Sequence, residues 1–191
     1  MEPATAAIAD LVAAITPIDE VEQQHIEQTL AWLAQTDDIF RRVPPANPPQ
    51  HLVAYVVLVD PRKRGIYLGR HRKSGLELPM GGHLAPGEHP RIAARREARE
   101  ELGFDPRFDV VGDQPLFLTM TPTVGLTAGH VDVSFWHVAR GDRSRSYGLD
   151  PAEFDGGSGG TSTPTACRAP TPTFLGSSAS FDSVLQPAPA R

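Results

Sequence analysis

The apolar residues near the N-terminus of this 191-residue chain recur at helical spacing. This pattern predicts a helical segment over residues 4–35, with Thr16 and Pro17 resembling a cap and first-turn proline at the start of a second helix. The first apolar stripe comprises Ile8, Leu11, Val12 and Ile15, and the second comprises Val21, Ile26, Leu30 and Leu33. Such an extension can pack on a sheet, form a dimer contact or cover a substrate cleft. Residues 43–50 contain four prolines and would link it to the rest.

Apolar and β-branched runs predict strands further along the chain. Residues 51–60 (HLVAYVVLVD) are a near-continuous apolar run, as in a buried strand, and residues 66–71 follow after a turn. Three later runs also predict strands: residues 108–111, 115–120 and 131–139. Strands on both sides of a helix, with more helices before them, predict an α/β sandwich with a mixed sheet.

The last part of the chain has a different composition. Residues 156–191 are dominated by Gly, Pro, Ser, Thr and Ala, and their only charged residues are Arg168, Asp182 and Arg191. Such a segment buries too little apolar surface to offset its ordering entropy, so we expect a disordered tail. A frameshifted C-terminus is a further hypothesis, because codons read in a shifted frame can encode an amphipathic helix over residues 173–183. The predicted organisation is therefore an extension at 1–48, a domain at 49–155 and a tail at 156–191.

Composition excludes several functional classes. Lys and Arg total 18 against 23 Asp and Glu, a formal charge of −5, so we expect no binding to duplex nucleic acid. The single cysteine, Cys167, excludes an internal disulfide and a Cys-based zinc site. No apolar run is long enough for a membrane span, and the start lacks the basic residues of a signal peptide. We expect a soluble, cytoplasmic protein.

One segment concentrates charged residues around a predicted helix. It begins near Glu88, after a turn, and should end at about Leu102 before Gly103. Three glutamates at positions i, i+3 and i+4 share one face of this helix: Glu97, Glu100 and Glu101. Clustered carboxylate oxygens suit hard cations such as Mg²⁺ or Mn²⁺. The alternative is a solvated face neutralised by neighbouring arginines.

The same segment, residues 82–104, carries a longer pattern of fixed spacing. It has the form G-x5-E-x7-R-E-U-x-E-E-x-G-U, where U is a bulky apolar residue, and only Ala98 is smaller than usual. The matching residues are Gly82, Glu88, Arg96, Glu97, Glu100, Glu101 and Gly103. The chain thus resembles the Nudix hydrolases. This resemblance implies a Mg²⁺- or Mn²⁺-dependent pyrophosphohydrolase that cleaves a nucleoside diphosphate linked to another moiety X.

The resemblance also implies roles for individual residues. Glu97 and Glu101 would be metal ligands, with Glu100 sharing the cluster and the Gly81 carbonyl completing the site. Glu97 and Glu100 are both candidates for the catalytic general base. Glu88 and Arg96 would form a buried ion pair that holds the loop against its helix.

Other residues are candidates for substrate binding. Three basic residues end a strand that leads toward the pattern of residues 82–104: Arg70, Arg72 and Lys73. They would hold the diphosphate, or else mark a polar hairpin end. Asp132 and His130 point to one face of a strand, either into the cleft as a ligand or base, or to solvent. Aromatic residues in strands would stack a nucleobase or fill the core: Phe117, Phe135 and Trp136.

Two rival functions belong to other classes. A non-hydrolytic nucleotide sensor would not need all the carboxylates, and none is missing. An isoprenoid-diphosphate isomerase of the same fold relies on a catalytic cysteine, whereas Cys167 lies in the predicted tail. A homodimer is compatible with all these hypotheses. ADP-ribose, sugar nucleotides, dinucleoside polyphosphates and oxidised nucleoside triphosphates all remain open as substrates.

Overall fold

The structure, a computed structural model, describes residues 1–40, 49–62, 65–123, 129–142 and 144–161. Three helices and seven strands lie within these ranges. The helices are α1 (Pro3–Ala13), α2 (Glu20–Leu33) and α3 (Pro90–Leu102). The strands are β1 (Gln50–Asp60), β2 (Gly65–His71), β3 (Glu77–Leu78), β4 (Met80–His83), β5 (Phe117–Pro122), β6 (Val131–Arg140) and β7 (Phe154–Thr161). The fold is therefore mixed α/β, as predicted.

The two N-terminal helices pack on the sheet. Apolar residues of α1 and α2 share one buried cluster with residues of β1. Glu22 of α2 also accepts a hydrogen bond from the Leu118 backbone N–H on β5 at 3.2 Å. The predicted cap at Thr16 is wrong: Asp19 is the N-cap of α2, because its carboxylate accepts from the Glu22 N–H at 2.8 Å. Of the three roles open to this extension, packing is the one observed.

The sheet is mixed, and β1 lies at its centre. Its order is β3-β2-β1-β6-β5, with β4 added on β1 and β7 on β2. β1 and β6 run parallel, with His51 opposite Asp132, whereas β1 is antiparallel to β2 and β4. On β4, His83 lies opposite Val53 and Gly81 lies opposite Tyr55. Since side chains alternate along a strand, His51, Val53 and Tyr55 share one face of β1.

Three strand boundaries differ from the predictions. Residues 108–111 form no strand: Phe108 and Val110 pack from a loop onto the two buried clusters. β3 and β4, which have no counterpart among the predicted strands, are separated by Pro79, because proline cannot donate to the ladder. β7 pairs with β2 through Thr161, so residues 156–161 of the predicted tail belong to the sheet. Residues 162–191, including Cys167 and the segment of the frameshift hypothesis, lie outside the described residues.

The predicted aromatic residues serve the core. Phe117, Phe135 and Trp136 are each at most 1% exposed, so none of them presents a free face to a nucleobase. Trp136 stacks between Phe117 and Tyr55, and its indole N–H donates to Thr119 at 2.9 Å. In the part of the chain that the structure describes, no helix has the length and apolar character needed to cross a membrane.

Candidate active site

Helix α3, which carries the three clustered glutamates, begins and ends for local reasons. His89, rather than Glu88, is its N-cap, and the His89 Nδ1 accepts from the Arg91 N–H at 3.2 Å. Pro90 follows at the first position, where its missing N–H costs no hydrogen bond. Gly103 ends the helix in the left-handed region, at φ 69°. These signals fix the register of the glutamates on α3.

Arg96 connects the loop before α3 to the helix itself. Its Nε and Nη2 donate to the two carboxylate oxygens of Glu88, both at 3.0 Å, and Nη2 also donates to the His83 carbonyl at 3.0 Å. The Ala85 N–H donates to Glu88 at 2.9 Å. Burial raises the pKa of Glu88, but the hydrogen bonds from Arg96 and Ala85 outweigh it and hold that pKa below its usual value. Glu88 and Arg96 therefore form an ion pair, partly buried, that closes the loop on α3.

The three glutamates lie together but in different environments. Glu97 and Glu101 are each 8% exposed, whereas the Glu100 side chain is 58% exposed. Arg96 Nη1 donates to Glu97 at 2.6 Å and to Glu100 at 3.1 Å. Glu101 instead accepts the Gly81 N–H at 2.9 Å. The helix thus presents two buried carboxylates and one at the surface.

Burial makes the two inner carboxylates costly to ionise. Desolvation raises the pKa of Glu101 to about 8, and the neighbouring charge of Glu97 adds to the effect. Desolvation also raises the pKa of Glu97, although Arg96 opposes it. Perturbed carboxylates in a cleft are typical of functional sites, and a bound cation would offset the repulsion between them.

Two glycines permit the close approach of β4 to its neighbours. A Cβ on Gly82 would lie 2.4 Å from the Glu97 Oε1, and one on Gly81 would lie 2.4 Å from the Ala54 carbonyl oxygen. The structure brings Gly81 to Glu101 through its N–H, whereas the predicted role of Gly81 concerns its carbonyl.

The glutamates line a cleft of about 720 Å³ between α3 and the ends of β1, β4 and β6. Of the predicted substrate-binding residues, Lys73 and Asp132 line this cleft. Arg70 and Arg72 do not: Arg70 is exposed on β2 opposite Glu77, and Arg72 pairs with Asp155 at 2.7 Å. Lys73 lies 3.0 Å from Glu153, which is not among the predicted residues. The remaining lining includes His51, Tyr55, His71, His83, His130, Asp150 and Glu153.

Some of these cleft residues carried a signal in the sequence. Period-2 alternation along β1 places His51, Val53 and Tyr55 on one face, and His83 directly follows the Gly81–Gly82 pair. Glu153 carried none, because only the pairing of the distant β7 with β2 brings it to Lys73.

Comparison with known proteins matches one family model and several solved structures. The family model described as NUDIX domain matches residues 49–156. A hydrolase of the NUDIX family from Clostridium perfringens has a similar structure, with 18% identity and a TM-score of 0.49, over 70% of this chain and 97% of that one. A MutT NUDIX hydrolase from Burkholderia pseudomallei has 17% identity and a TM-score of 0.48, over 69% of this chain and 95% of that one. The comparison with curated proteins found no match.

Proposed function

The chain belongs to the Nudix family and is a hydrolase of phosphoric anhydrides, and from that premise we propose that it cleaves a nucleoside diphosphate linked to a moiety X, using Mg²⁺ or Mn²⁺. Water would attack one phosphorus of the diphosphate and release a phosphorylated nucleoside and a phosphorylated X. The observation that carries this proposal is the buried Glu97–Glu101 pair beside the exposed Glu100 at a cleft. We also propose that residues 1–48 are an extension of a catalytic domain that runs from residue 49 through β7.

The donor set fits a hard divalent cation. Glu97, Glu101 and Glu100 supply carboxylate oxygens, and we assign the Gly81 carbonyl as a further ligand. Burial and the negative charges of Glu97, Glu153 and Asp150 raise the pKa of Glu101, and the hydrogen bond from the Gly81 N–H opposes them. When bound, the cation polarises a phosphoryl oxygen and neutralises charge that develops on the diphosphate.

Protein groups around the carboxylates orient the reacting parts. Arg96 Nη1 donates to Glu97 and Glu100, while other nitrogens of Arg96 donate to Glu88. These bonds fix the distance between helix α3 and the loop before it. Lys73 lines the cleft and would supply positive charge for the diphosphate, since its side chain is 54% exposed. Asp132, on the opposite wall, contacts His51 at 2.9 Å.

Two carboxylates are candidates for the general base that takes the proton of the attacking water. Glu100 is exposed at the cleft, where water reaches it freely. Glu97 is buried, and its carboxylate lies near those of Glu100 and Glu88. The variants Glu97→Gln and Glu100→Gln distinguish a general base from a metal ligand. Substitution of the general base lowers kcat and leaves the metal Kd unchanged, whereas substitution of a ligand weakens metal binding as well.

A substrate panel tests the proposal. ADP-ribose, sugar nucleotides, dinucleoside polyphosphates and oxidised nucleoside triphosphates are incubated with Mg²⁺, Mn²⁺ or a chelator, and phosphate is measured after a coupled phosphatase. We expect metal-dependent turnover of at least one compound, lost in Glu101→Gln and kept in Glu77→Gln, an exposed glutamate outside the cleft. Tight binding of a nucleotide without turnover would favour the sensor instead.

A further inference from the structure

A second cluster of metal-ligating side chains lies in the same cleft, on strands rather than on α3. It consists of His51 on β1, His83 on β4 and Asp132 on β6, and one ligand atom from each lies within 4.8 Å of the others. Register explains the grouping: His51 is opposite Asp132, and Val53, two residues further on the same face, is opposite His83. The rings of His51 and His83 are 4.6 Å apart.

Buried polar atoms on two members of this cluster, His51 and Asp132, lack hydrogen bonds. The His51 side chain is 3% exposed, yet neither of its ring nitrogens makes a hydrogen bond to protein. Its Nε2 lies 2.9 Å from the Asp132 Oδ1, but the angles of this contact do not make a hydrogen bond, and Oδ1 is likewise unsatisfied. A buried polar group without a partner is costly, so native proteins rarely leave one. Unpaired buried atoms on His51 and Asp132, beside the ring of His83, indicate a ligand that accepts their lone pairs.

The donors select the chemical class of that ligand. Two imidazole nitrogens and one carboxylate oxygen suit Zn²⁺ and similar transition-metal ions, whereas Mg²⁺ prefers oxygen alone. Ligand atoms at about 2.0–2.2 Å from an ion must lie closer together than 4.8 Å, so the side chains have to close slightly around it. His83 and Asp132 are less buried than His51, and the Asp132 side chain is 18% exposed. Three protein ligands leave a fourth position open toward the cleft.

We propose that His51, His83 and Asp132 form a second metal site, specific for Zn²⁺ or a similar imidazole-preferring divalent ion and separate from the carboxylate cluster of α3. The fourth position faces the cleft, where water or a phosphate oxygen completes the coordination. This site does not depend on the proposed hydrolytic function, because it is defined by ion binding alone.

Zn²⁺ binding in the presence of excess Mg²⁺ tests the site. Untagged protein is stripped with a chelator, and Zn²⁺ affinity is measured by competition with a chromophoric chelator, with Co²⁺ absorption as a second readout. We expect the parent to bind one equivalent of Zn²⁺. His83→Gln and Asp132→Asn should each weaken its affinity by at least about 10-fold, since even the loss of an outer partner costs that much. Circular dichroism melts confirm that each variant is folded.

Two controls locate the ion. The double variant Glu97→Gln, Glu101→Gln should retain Zn²⁺, because it leaves the strand cluster intact. His25→Gln on α2, outside the cleft, should bind like the parent. Absence of Zn²⁺ binding in Mg²⁺, or its loss in the glutamate double variant, would overturn the proposal. The proposal would also be overturned if inorganic phosphate alone stabilised the protein and this effect required His83, since the cluster would then be an anion site.

Discussion

Replacing Gly82 by alanine should move the Glu97 carboxylate without unfolding the protein. The added Cβ would lie 2.4 Å from the Glu97 Oε1, 2.6 Å from its Cδ and 2.9 Å from its Oε2. Ordinary contact begins at 3.4 Å, so the carboxylate has to retreat by about 1 Å. It would thereby lose its present 2.6 Å hydrogen bond with Arg96. Gly82 is not among the glycines with positive φ, so its backbone accepts alanine.

The expected effect is a loss of rate rather than of stability. A displacement of about 1 Å in an active site costs on the order of 100-fold in rate, and we expect kcat of Gly82→Ala to fall by about that factor. The clash is with the far end of a flexible side chain, so the melting temperature should change by less than about 4 °C, equivalent to about 1 kcal/mol for a chain of this size.

The assay compares kcat and thermal melts on a substrate that the parent hydrolyses. Gly148→Ala is the matched control, because a Cβ there meets nothing within 4 Å and the residue lies outside the cleft. Gly82→Ala combined with Glu97→Gln should be no slower than Glu97→Gln alone, since both changes act on the same carboxylate. A folded Gly82→Ala variant with parental kcat would refute the reasoning, as would a loss of activity that merely follows unfolding.

Three further predictions concern other parts of the structure. Glu101→Gln should abolish metal-dependent turnover, yet melt in chelator at or above the parent temperature, because glutamine replaces a buried carboxyl group that is costly to ionise; a lower melting temperature would contradict this. Arg96→Lys should lower both stability and activity, since lysine cannot bind both Glu88 oxygens, whereas Arg99→Lys at an exposed pair should change neither. Burial lowers the pKa of His137 from 6.5 to about 4. As the pH falls from 6.5 toward 4, the unfolded chain therefore binds a proton on this imidazole and the folded chain does not. Unfolding free energy should therefore drop by roughly 3 kcal/mol more in the parent than in His137→Gln between pH 7 and 4, as urea titrations would show.

Local features of the chain were predictable because their causes are local. The end of α3 follows from Gly103, and the buried strands β1 and β6 follow from continuous apolar runs. The pairing of Glu88 with Arg96 was implied by the resemblance to the Nudix hydrolases. By contrast, the apolar residues of 108–111 gave the pattern of a strand while packing from a loop.

Features that depend on long-range pairing were not predictable. The glycine-rich segment 156–161 has the composition of a tail, and only its pairing with β2 makes it a strand. The same pairing brings Asp155 to Arg72, which keeps that arginine out of the cleft. His51 and Asp132 are 81 residues apart in the sequence and meet only through the parallel register of β1 and β6.

Turnover in ¹⁸O-labelled water tests whether this chain hydrolyses a diphosphate through the carboxylates of α3. A substrate identified in the panel is incubated with Mg²⁺ or Mn²⁺, and the products are analysed by mass spectrometry. We predict one ¹⁸O atom in one of the two phosphorylated products, with no labelled product in chelator or with Glu101→Gln. Cleavage without label, or labelled product at the parental rate from Glu101→Gln, would contradict the account.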